Sequence, residues 1–123
     1  KGGKDSLYAV DYGARLACEF GVDIVKINVP KIEESKMDKY PKPYNTLNYS
    51  YDEAIAKVVH SAGRTMVLFS GGSKESDVDL LKKAKAAMDN GATGLIFGRN
   101  LWQREHSEAI RISGELKKIL LAS

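Results

Sequence analysis

A lysine lies in the middle of an otherwise apolar segment, residues 23–29, that has the pattern of a β-strand. Side chains alternate between the two faces of a strand, so Lys26 and Asn28 share one face. The opposite face is aliphatic and is formed by Val25, Ile27 and Val29. A lysine amine that loses its hydration can attack a carbonyl carbon and form a Schiff base. Lys26 is therefore a candidate nucleophile, although a half-exposed strand with its lysine in water fits the same pattern, because lysine is seldom fully buried.

Two later apolar segments end in glycine. Ser70, Gly71 and Gly72 follow one segment directly before a helical pattern, and Gly98 and Arg99 follow the next. Glycine lets backbone N–H groups approach an anion, and a following helix N-terminus adds partial positive charge. An arginine guanidinium can hold a phosphate through two hydrogen bonds. These five residues predict a phosphate-binding site.

Each of these signals also has a purely structural interpretation. Tight turns use the same glycines, and Arg99 could form a surface ion pair with Glu105 or Glu108. The GxxxxGK[ST] and GxGxxG nucleotide patterns do not occur in the sequence. Two histidines and one cysteine give no zinc-ligand set. We therefore expect no metal and no cofactor, and we expect Trp102 to pack under a turn at residues 100–104.

The candidate residues fall at the ends of a repeated unit, in which an amphipathic helix ends at a glycine and a short apolar strand follows. The predicted helices span residues 6–20, 51–62 and 76–90, and a last helix spans 107–121. The predicted strands span residues 22–29, 65–70 and 93–98. The glycines Gly21, Gly63 and Gly91 stand where helix C-termini need a left-handed residue.

Helices that alternate with β-branched strands favour a parallel sheet with right-handed crossovers. Either an open doubly wound sheet or part of a (β/α)8 barrel fits this order. Polar residues cluster at the carboxyl ends of all three strands, where barrels build their sites, but open sheets bind ligands there too. A barrel needs about 250 residues, so this chain of 123 residues, taken as a single unit over 1–123, would be about half of one.

One connection, residues 30–50, is long. It contains all three prolines and three of the six tyrosines. A loop of this length without regular structure is usually functional or disordered. Its aromatic side chains could cover a ligand or dock on a partner subunit, and a solvated insertion fits equally well.

The composition limits the partners. The net charge of +3 is spread along the chain, which suggests small anionic ligands at most and no nucleic acid. No apolar run approaches the roughly 20 residues of a membrane span, and no secretory-signal pattern opens the chain. The single cysteine, Cys18, lies on a helical pattern and is predicted to be packed rather than reactive. We expect a cytoplasmic protein.

Three segments carry a more specific signal, residues 21–26, 69–74 and 91–103. The third contains the run Gly-Arg-Asn-Leu-Trp-Gln, which is the most distinctive part. Together they resemble the archaeal-type class I fructose-bisphosphate aldolases and their relatives that make or cleave related sugar phosphates. The resemblance extends over nearly the whole chain except residues 31–50.

This resemblance implies an α/β fold, the C-terminal half of a TIM barrel with strands six to eight and their flanking helices. It also implies a metal-independent lyase of glycolysis and gluconeogenesis. Such an enzyme reversibly cleaves fructose 1,6-bisphosphate to dihydroxyacetone phosphate and glyceraldehyde 3-phosphate. The family's Schiff-base lysine on strand six matches Lys26, and its two phosphate-binding turns match Ser70 to Gly72 and Gly98 to Arg99.

The family's acid/base tyrosine on strand five and its aspartate on strand one have no counterpart in this sequence, and Tyr8 falls on a predicted helix. Two other functions therefore remain open. One is a non-catalytic phosphate-binding half-barrel or a fragment that needs a partner. The other is a transaldolase-like or thiolase-like relative that acts on another sugar phosphate. The expected partners are a phosphorylated sugar and either further copies of the chain or an N-terminal barrel half.

Overall fold

The computed structural model describes residues 3–122, without the side chains of residues 34 and 36. Helices and strands alternate along this range, as the sequence predicted, although the first and third strands are shorter than expected. The helices are α1 (Leu7–Glu19), α2 (Tyr51–Ser61), α3 (Asp77–Asp89), α4 (Gly98–Trp102) and α5 (His106–Leu121), with a 3₁₀ helix at Glu34–Lys39. The strands are β1 (Ile24–Asn28), β2 (Met66–Ser70) and β3 (Gly94–Ile96).

The strands form one parallel sheet in the order β1, β2, β3. Lys26 lies beside Leu68, and Asn28 lies beside Ser70. Ser70 in turn lies beside Ile96 of β3. The carboxyl ends of the three strands therefore meet at one edge of the sheet, next to both glycine turns.

Serines and glycines mark the helix boundaries. The N-caps of α1, α2 and α3 are serines whose hydroxyls accept from the backbone N–H three residues later, and they are Ser6, Ser50 and Ser76. The predicted glycines after these helices are confirmed with φ of 69°, 59° and 90°, at Gly21, Gly63 and Gly91. This left-handed backbone disfavours a Cβ, which is why each helix stops there and the chain turns into the next strand.

Two apolar clusters hold the helices on one side of the sheet. The larger cluster joins Val29, Val67 and Phe69 to α1 and α2, and the aliphatic side chains of β1 pack against it as predicted. The smaller cluster joins α3 to α5 through Leu80 and Ile112. Full burial of a side chain such as Phe69 contributes roughly 1.5–3 kcal/mol. This packing determines which face of β1 is buried, and it leaves the face that carries Lys26 outside the core.

The opposite face of the sheet is open. The side chains of Ile24, Met66 and Ile96 are 51%, 43% and 38% exposed, and Lys26 is exposed as well. Among the described residues, no further strand pairs with the outer edges of β1 and β3. In a closed barrel this face points into the interior, so its exposure is what a partial barrel would show.

The connection at 30–50 differs from the unstructured loop that the sequence suggested. Besides the 3₁₀ helix, it contributes Tyr40 and Tyr44, which are only 8% and 9% exposed. The Tyr44 ring packs edge-on against Tyr8 with centroids 5.3 Å apart, and its hydroxyl donates to the buried carboxylate of Asp11. Burial and this hydrogen bond raise the pKa of Tyr44 well above its ordinary value. A solvated insertion is therefore the wrong interpretation for these two side chains.

Trp102 also lies elsewhere than expected. It is 69% exposed, and the residue buried beneath this part of the chain is Asn100. The reason is that residues 98–102 form the helix α4 rather than a turn. Residues two apart on an α-helix point about 200° away from each other, so the burial of Asn100 places Trp102 in solvent.

Cys18 is half-buried, in keeping with its predicted packing role. A Cβ at Gly63 would lie 2.8 Å from its sulfur, so the cysteine fills the space where α1 passes the end of α2. None of the helices within residues 3–122 is long and apolar enough to cross a bilayer.

Candidate active site

A cleft of about 510 Å³ opens at the carboxyl edge of the sheet. All the residues predicted to form a site line it, namely Lys26, Ser70, Gly71, Gly72, Gly98 and Arg99. They come from three segments that are separated along the chain, and the parallel register brings them together. The structure thus assembles the predicted residues in one place.

Lys26 reaches the cleft from the middle of β1. Its amine makes no hydrogen bond or ion pair with any other described residue, and the side chain is exposed because the sheet face around it is uncovered. The amine is therefore accessible to a ligand, in an environment wetter than that of a buried lysine.

The first glycine turn, at residues 71–73, is held rigidly by the fully buried Asn100. Asn100 Oδ1 accepts from the backbone N–H of Glu75 at 2.8 Å, and its Nδ2 donates to the carbonyl of Ser73 at 3.0 Å. A Cβ at Gly71 would lie 2.6 Å from the ring of Phe97, so only glycine allows this approach. The sequence predicted the turn but not the asparagine that supports it.

The turn offers two N–H groups to an anion. The Gly71 N–H donates to the carbonyl of Ile96 at 3.3 Å, so it is already used. The N–H groups of Gly72 and Ser73 have no acceptor among the described residues. Gly71 therefore contributes close packing, and Gly72 contributes a donor.

Arg99 stands in the first turn of α4 and is exposed toward the cleft. The sequence also allowed a purely structural role for Arg99, an ion pair with Glu105 or Glu108. This ion pair does not form. Glu108 pairs instead with Arg111 at 2.8 Å. Within the described residues, Arg99 has no ion-pair partner and so keeps its charge available for a ligand.

Arg104 connects α4 to the same turn through hydrogen bonds. The sequence did not predict this role. Its Nε donates to the carbonyl of Asn100 at 2.6 Å, and its Nη2 donates to the carbonyl of Glu75 at 3.0 Å. Its guanidinium also pairs with Asp77 at the start of α3. A hydrogen bond from Arg111, with the nearby charge of Arg104, holds the pKa of Asp77 below its usual value. The contacts of Arg104 with Asp77 and Glu75 join residues 27 and 29 positions apart, so no local pattern could reveal them.

The cleft is positively charged. Its lining has five basic side chains, Lys4, Lys26, Lys31, Lys83 and Arg99, and two acidic ones, Asp5 and Glu75. Lys83 pairs with Glu75, and Lys31 lies 3.8 Å from Asp5. The remaining three cations favour an anionic ligand. Among the described residues, no tyrosine lines the cleft, and no group of metal-binding side chains occurs.

An exposed lysine amine and a glycine turn at the carboxyl edge of a parallel sheet form an arrangement on which Schiff-base chemistry can be built. The chain belongs to the DeoC/LacD family of aldolases, whose pattern matches residues 4–104.

Relatives of known sequence support this assignment. The class 1 fructose-bisphosphate aldolase of Halobacterium salinarum is 43% identical over 100 residues, which are 81% of this chain and 31% of the relative. The corresponding enzyme of Thermoproteus tenax is 32% identical over 112 residues, 90% of this chain and 35% of the relative. The chain thus spans about a third of the length of these relatives.

Solved structures of aldolases are similar to this chain as well. An archaeal fructose 1,6-bisphosphate aldolase superimposes with a TM-score of 0.74 at 28% identity, over 98% of this chain and 40% of that chain. Another, with its catalytic lysine bound to the carbinolamine intermediate, gives a TM-score of 0.72 over 96% of this chain and 39% of that chain. These neighbours are TIM barrels, so the α/β architecture described above is part of a barrel, as predicted.

Proposed function

We propose that this chain supplies the Schiff-base half of a class I, metal-independent aldolase that reversibly cleaves fructose 1,6-bisphosphate. The observation that carries the proposal is that one cleft holds both the amine of Lys26, which is unpaired among the described residues, and the donors of Gly72 and Arg99. The names of the relatives support the same reaction.

In this mechanism, the uncharged amine of Lys26 attacks the ketone carbon of the sugar phosphate and forms a carbinolamine. Loss of water then gives an iminium ion. A base from the remaining part of the barrel takes the proton of the hydroxyl on the second carbon beyond the iminium carbon. The bond between the first and second carbons then breaks, glyceraldehyde 3-phosphate leaves, and the electron pair moves into the iminium so that an enamine remains on Lys26. Protonation of the enamine carbon and hydrolysis release dihydroxyacetone phosphate and return the free amine.

The phosphate is held by the donors on the other side of the cleft. The N–H groups of Gly72 and Ser73 and the guanidinium of Arg99 meet the anion, while the neighbouring Gly71 and Gly98 let the backbone come close. Ser70 places the turn at the end of β2. Phosphate binding thereby positions the ketone over Lys26.

The proposed enzyme needs further strands. The family's acid/base tyrosine on strand five and its aspartate on strand one match no residue of this sequence, so another part of a complete barrel must provide them. Completion by an N-terminal barrel half, or assembly with further copies, would also cover the open face of the sheet. A cytoplasmic role in glycolysis and gluconeogenesis is part of this proposal.

Borohydride reduction in the presence of dihydroxyacetone phosphate tests the nucleophile. We expect one reduced adduct, and peptide mass mapping should place it on Lys26. Lys26→Ala should abolish the adduct, whereas Lys85→Ala should retain it, because Lys85 is an exposed residue of α3 paired with Asp89. An adduct that persists in Lys26→Ala would refute the assignment.

A non-catalytic phosphate-binding half-barrel is the second candidate, and the exposure of Lys26 favours it. It predicts phosphate binding without any reducible adduct. A transaldolase-like or thiolase-like relative would form the adduct with a different sugar phosphate. Borohydride trapping with a panel of phosphorylated ketoses therefore distinguishes such a relative from a fructose-bisphosphate aldolase.

A further inference from the structure

Three polar side chains form a continuous chain along the cleft. Asp5 precedes α1, Asn28 ends β1 and Ser70 ends β2. Asn28 Nδ2 donates to Asp5 Oδ1 at 2.5 Å, and the Ser70 hydroxyl donates to Asn28 Oδ1. All three residues line the cleft beside Lys26, so this chain faces any ligand bound there.

The carboxylate at one end determines the direction of both hydrogen bonds. A carboxylate accepts and does not donate, so Asn28 must turn its NH₂ group toward Asp5. The carbonyl oxygen of Asn28 then faces Ser70, which gives its one hydroxyl proton to that oxygen. The lone pairs of the Ser70 oxygen remain for the cleft.

The segment that carries Asp5 is fixed to the end of the Lys26 strand. The Lys31 N–H donates to the Asp5 carbonyl at 2.7 Å, and Ser6 forms a parallel bridge with Lys31. The Lys31 ammonium also lies 3.8 Å from the Asp5 carboxylate. Asp5 is therefore held in place independently of its bond to Asn28.

We propose that Asp5 is a positioning residue that acts through Asn28 and makes Ser70 a hydrogen-bond acceptor toward the cleft. Ser70 then selects ligands that carry a hydroxyl donor beside the ketone, and its hydroxyl does not bind the phosphate. Two residues along a strand span about 6.6 Å, so a three-carbon ligand on Lys26 can reach the level of Asn28 and its neighbour Ser70. This inference rests on the proposed function, because it takes Lys26 as the nucleophile.

Two phosphorylated ketones distinguish the roles. Dihydroxyacetone phosphate has a free hydroxyl beside the ketone, and hydroxyacetone phosphate lacks it while keeping the phosphate. The measurement is the ligand concentration that gives half-maximal borohydride-trapped adduct on Lys26. Inorganic phosphate, used as a competitor, reports the anion-binding groups alone.

Asp5→Asn replaces an acceptor by a group that can also donate, so Asn28 can turn over and the Ser70 proton is released toward the cleft. We expect the half-saturating concentration of dihydroxyacetone phosphate to rise roughly 3–10-fold, the loss of one neutral hydrogen bond, with less than about a twofold change for the other two ligands. Asp89→Asn, the same change at an exposed position of α3, is the control and should leave all three ligands unaffected.

Ser70→Ala removes the acceptor itself and should show the same selective loss. Because Asp5 acts through Ser70, the double variant should be no worse than Ser70→Ala alone. An equal loss for all three ligands, or additive losses in the double variant, would overturn the proposal. Absence of any adduct on Lys26 in the unsubstituted chain would refute the proposed function instead.

Discussion

Two cationic residues of the cleft, Lys26 and Arg99, are suited to different roles. Lys26 and Arg99 are both exposed and unpaired among the described residues, but one is placed on a strand and the other on a helix. A lysine amine can lose its proton and act as a nucleophile, whereas an arginine remains charged and binds anions through a planar fork. The residue types therefore support a reacting end and a phosphate end.

Arg99→Ala should weaken binding of dihydroxyacetone phosphate by about 1.5–3 kcal/mol, the range for a hydrogen bond to a charged group. Binding of unphosphorylated dihydroxyacetone should change much less, because it does not reach Arg99. Isothermal titration with both ligands measures the difference. Arg64→Ala, at the opposite end of β2, serves as the control. Equal losses for both ligands would contradict the phosphate assignment.

At the level of helices and loops, the first glycine turn depends on α4. Asn100 of α4 and Arg104, which lies just beyond the end of that helix, bind the backbone of residues 73–75. The turn is therefore stable only while α4 is formed and docked. A substitution in α4 should affect the phosphate site even when no substituted atom touches a ligand.

Asn100→Ala should lower the free energy of unfolding by roughly 1–3 kcal/mol, because it leaves the partly buried backbone groups of Ser73 and Glu75 without the partners that Asn100 provides. Urea unfolding followed by circular dichroism measures this change. Phosphate affinity should fall in the same variant. Gln103→Ala, an exposed position at the end of α4, should change neither quantity. A stable Asn100→Ala variant would show that the turn does not need this support.

Acid should loosen the junction of α3, α4 and α5. The hydrogen bond from Arg111 and the charge of Arg104 lower the pKa of Asp77 in the folded state. A carboxyl group with a lowered pKa stabilises the fold above its unfolded pKa of about 3.9. That contribution is lost as the pH falls below this value toward the folded pKa. Asp77→Asn should therefore reduce stability at pH 7 and flatten its decrease between pH 5 and 2, as measured by urea unfolding across this range. An unchanged pH profile would contradict the assignment.

At the scale of the whole molecule, the feature that most favours association is the exposed face of the sheet. Apolar surface is presented by Ile24, Met66 and Ile96. It adjoins strand edges that have no partner strand within residues 3–122, and this combination favours association. We expect the isolated chain to self-associate. Met66→Lys should shift sedimentation velocity toward the monomer, whereas Val78→Lys, on the exposed side of α3, should not. A monomeric unsubstituted chain at all concentrations would contradict this prediction.

The isolated chain should also cleave fructose 1,6-bisphosphate poorly, since loss of a general acid/base typically costs about 10²–10⁴-fold. Replacing the matched 100 residues of the Halobacterium salinarum relative by this chain supplies the remaining strands. That chimaera should recover turnover, and Lys26→Ala within it should not. Ordinary turnover by the chain alone would show that no further residues are needed.

Sequence reasoning placed Lys26 and the two glycine-ended strands at one edge of the sheet because strand alternation and glycine positions are local patterns. It could not find the contacts of Asp5 with Asn28 or of Tyr44 with Asp11, which join residues 23 and 33 positions apart and depend on register and packing. The exposure of Trp102 followed from a helix where a turn was expected. The failures therefore have two sources, one short helix that was predicted as a turn and contacts that depend on tertiary packing.

Trp102 is the only tryptophan of the chain, and it lies exposed at the rim of the cleft near Gly98 and Arg99. The molecule therefore contains a built-in optical probe. Its fluorescence emission should be red-shifted and readily quenched by iodide in the isolated chain. Covering of the cleft by ligand or by additional strands should shift the emission to the blue and protect it from the quencher, which would allow occupancy to be followed without any label.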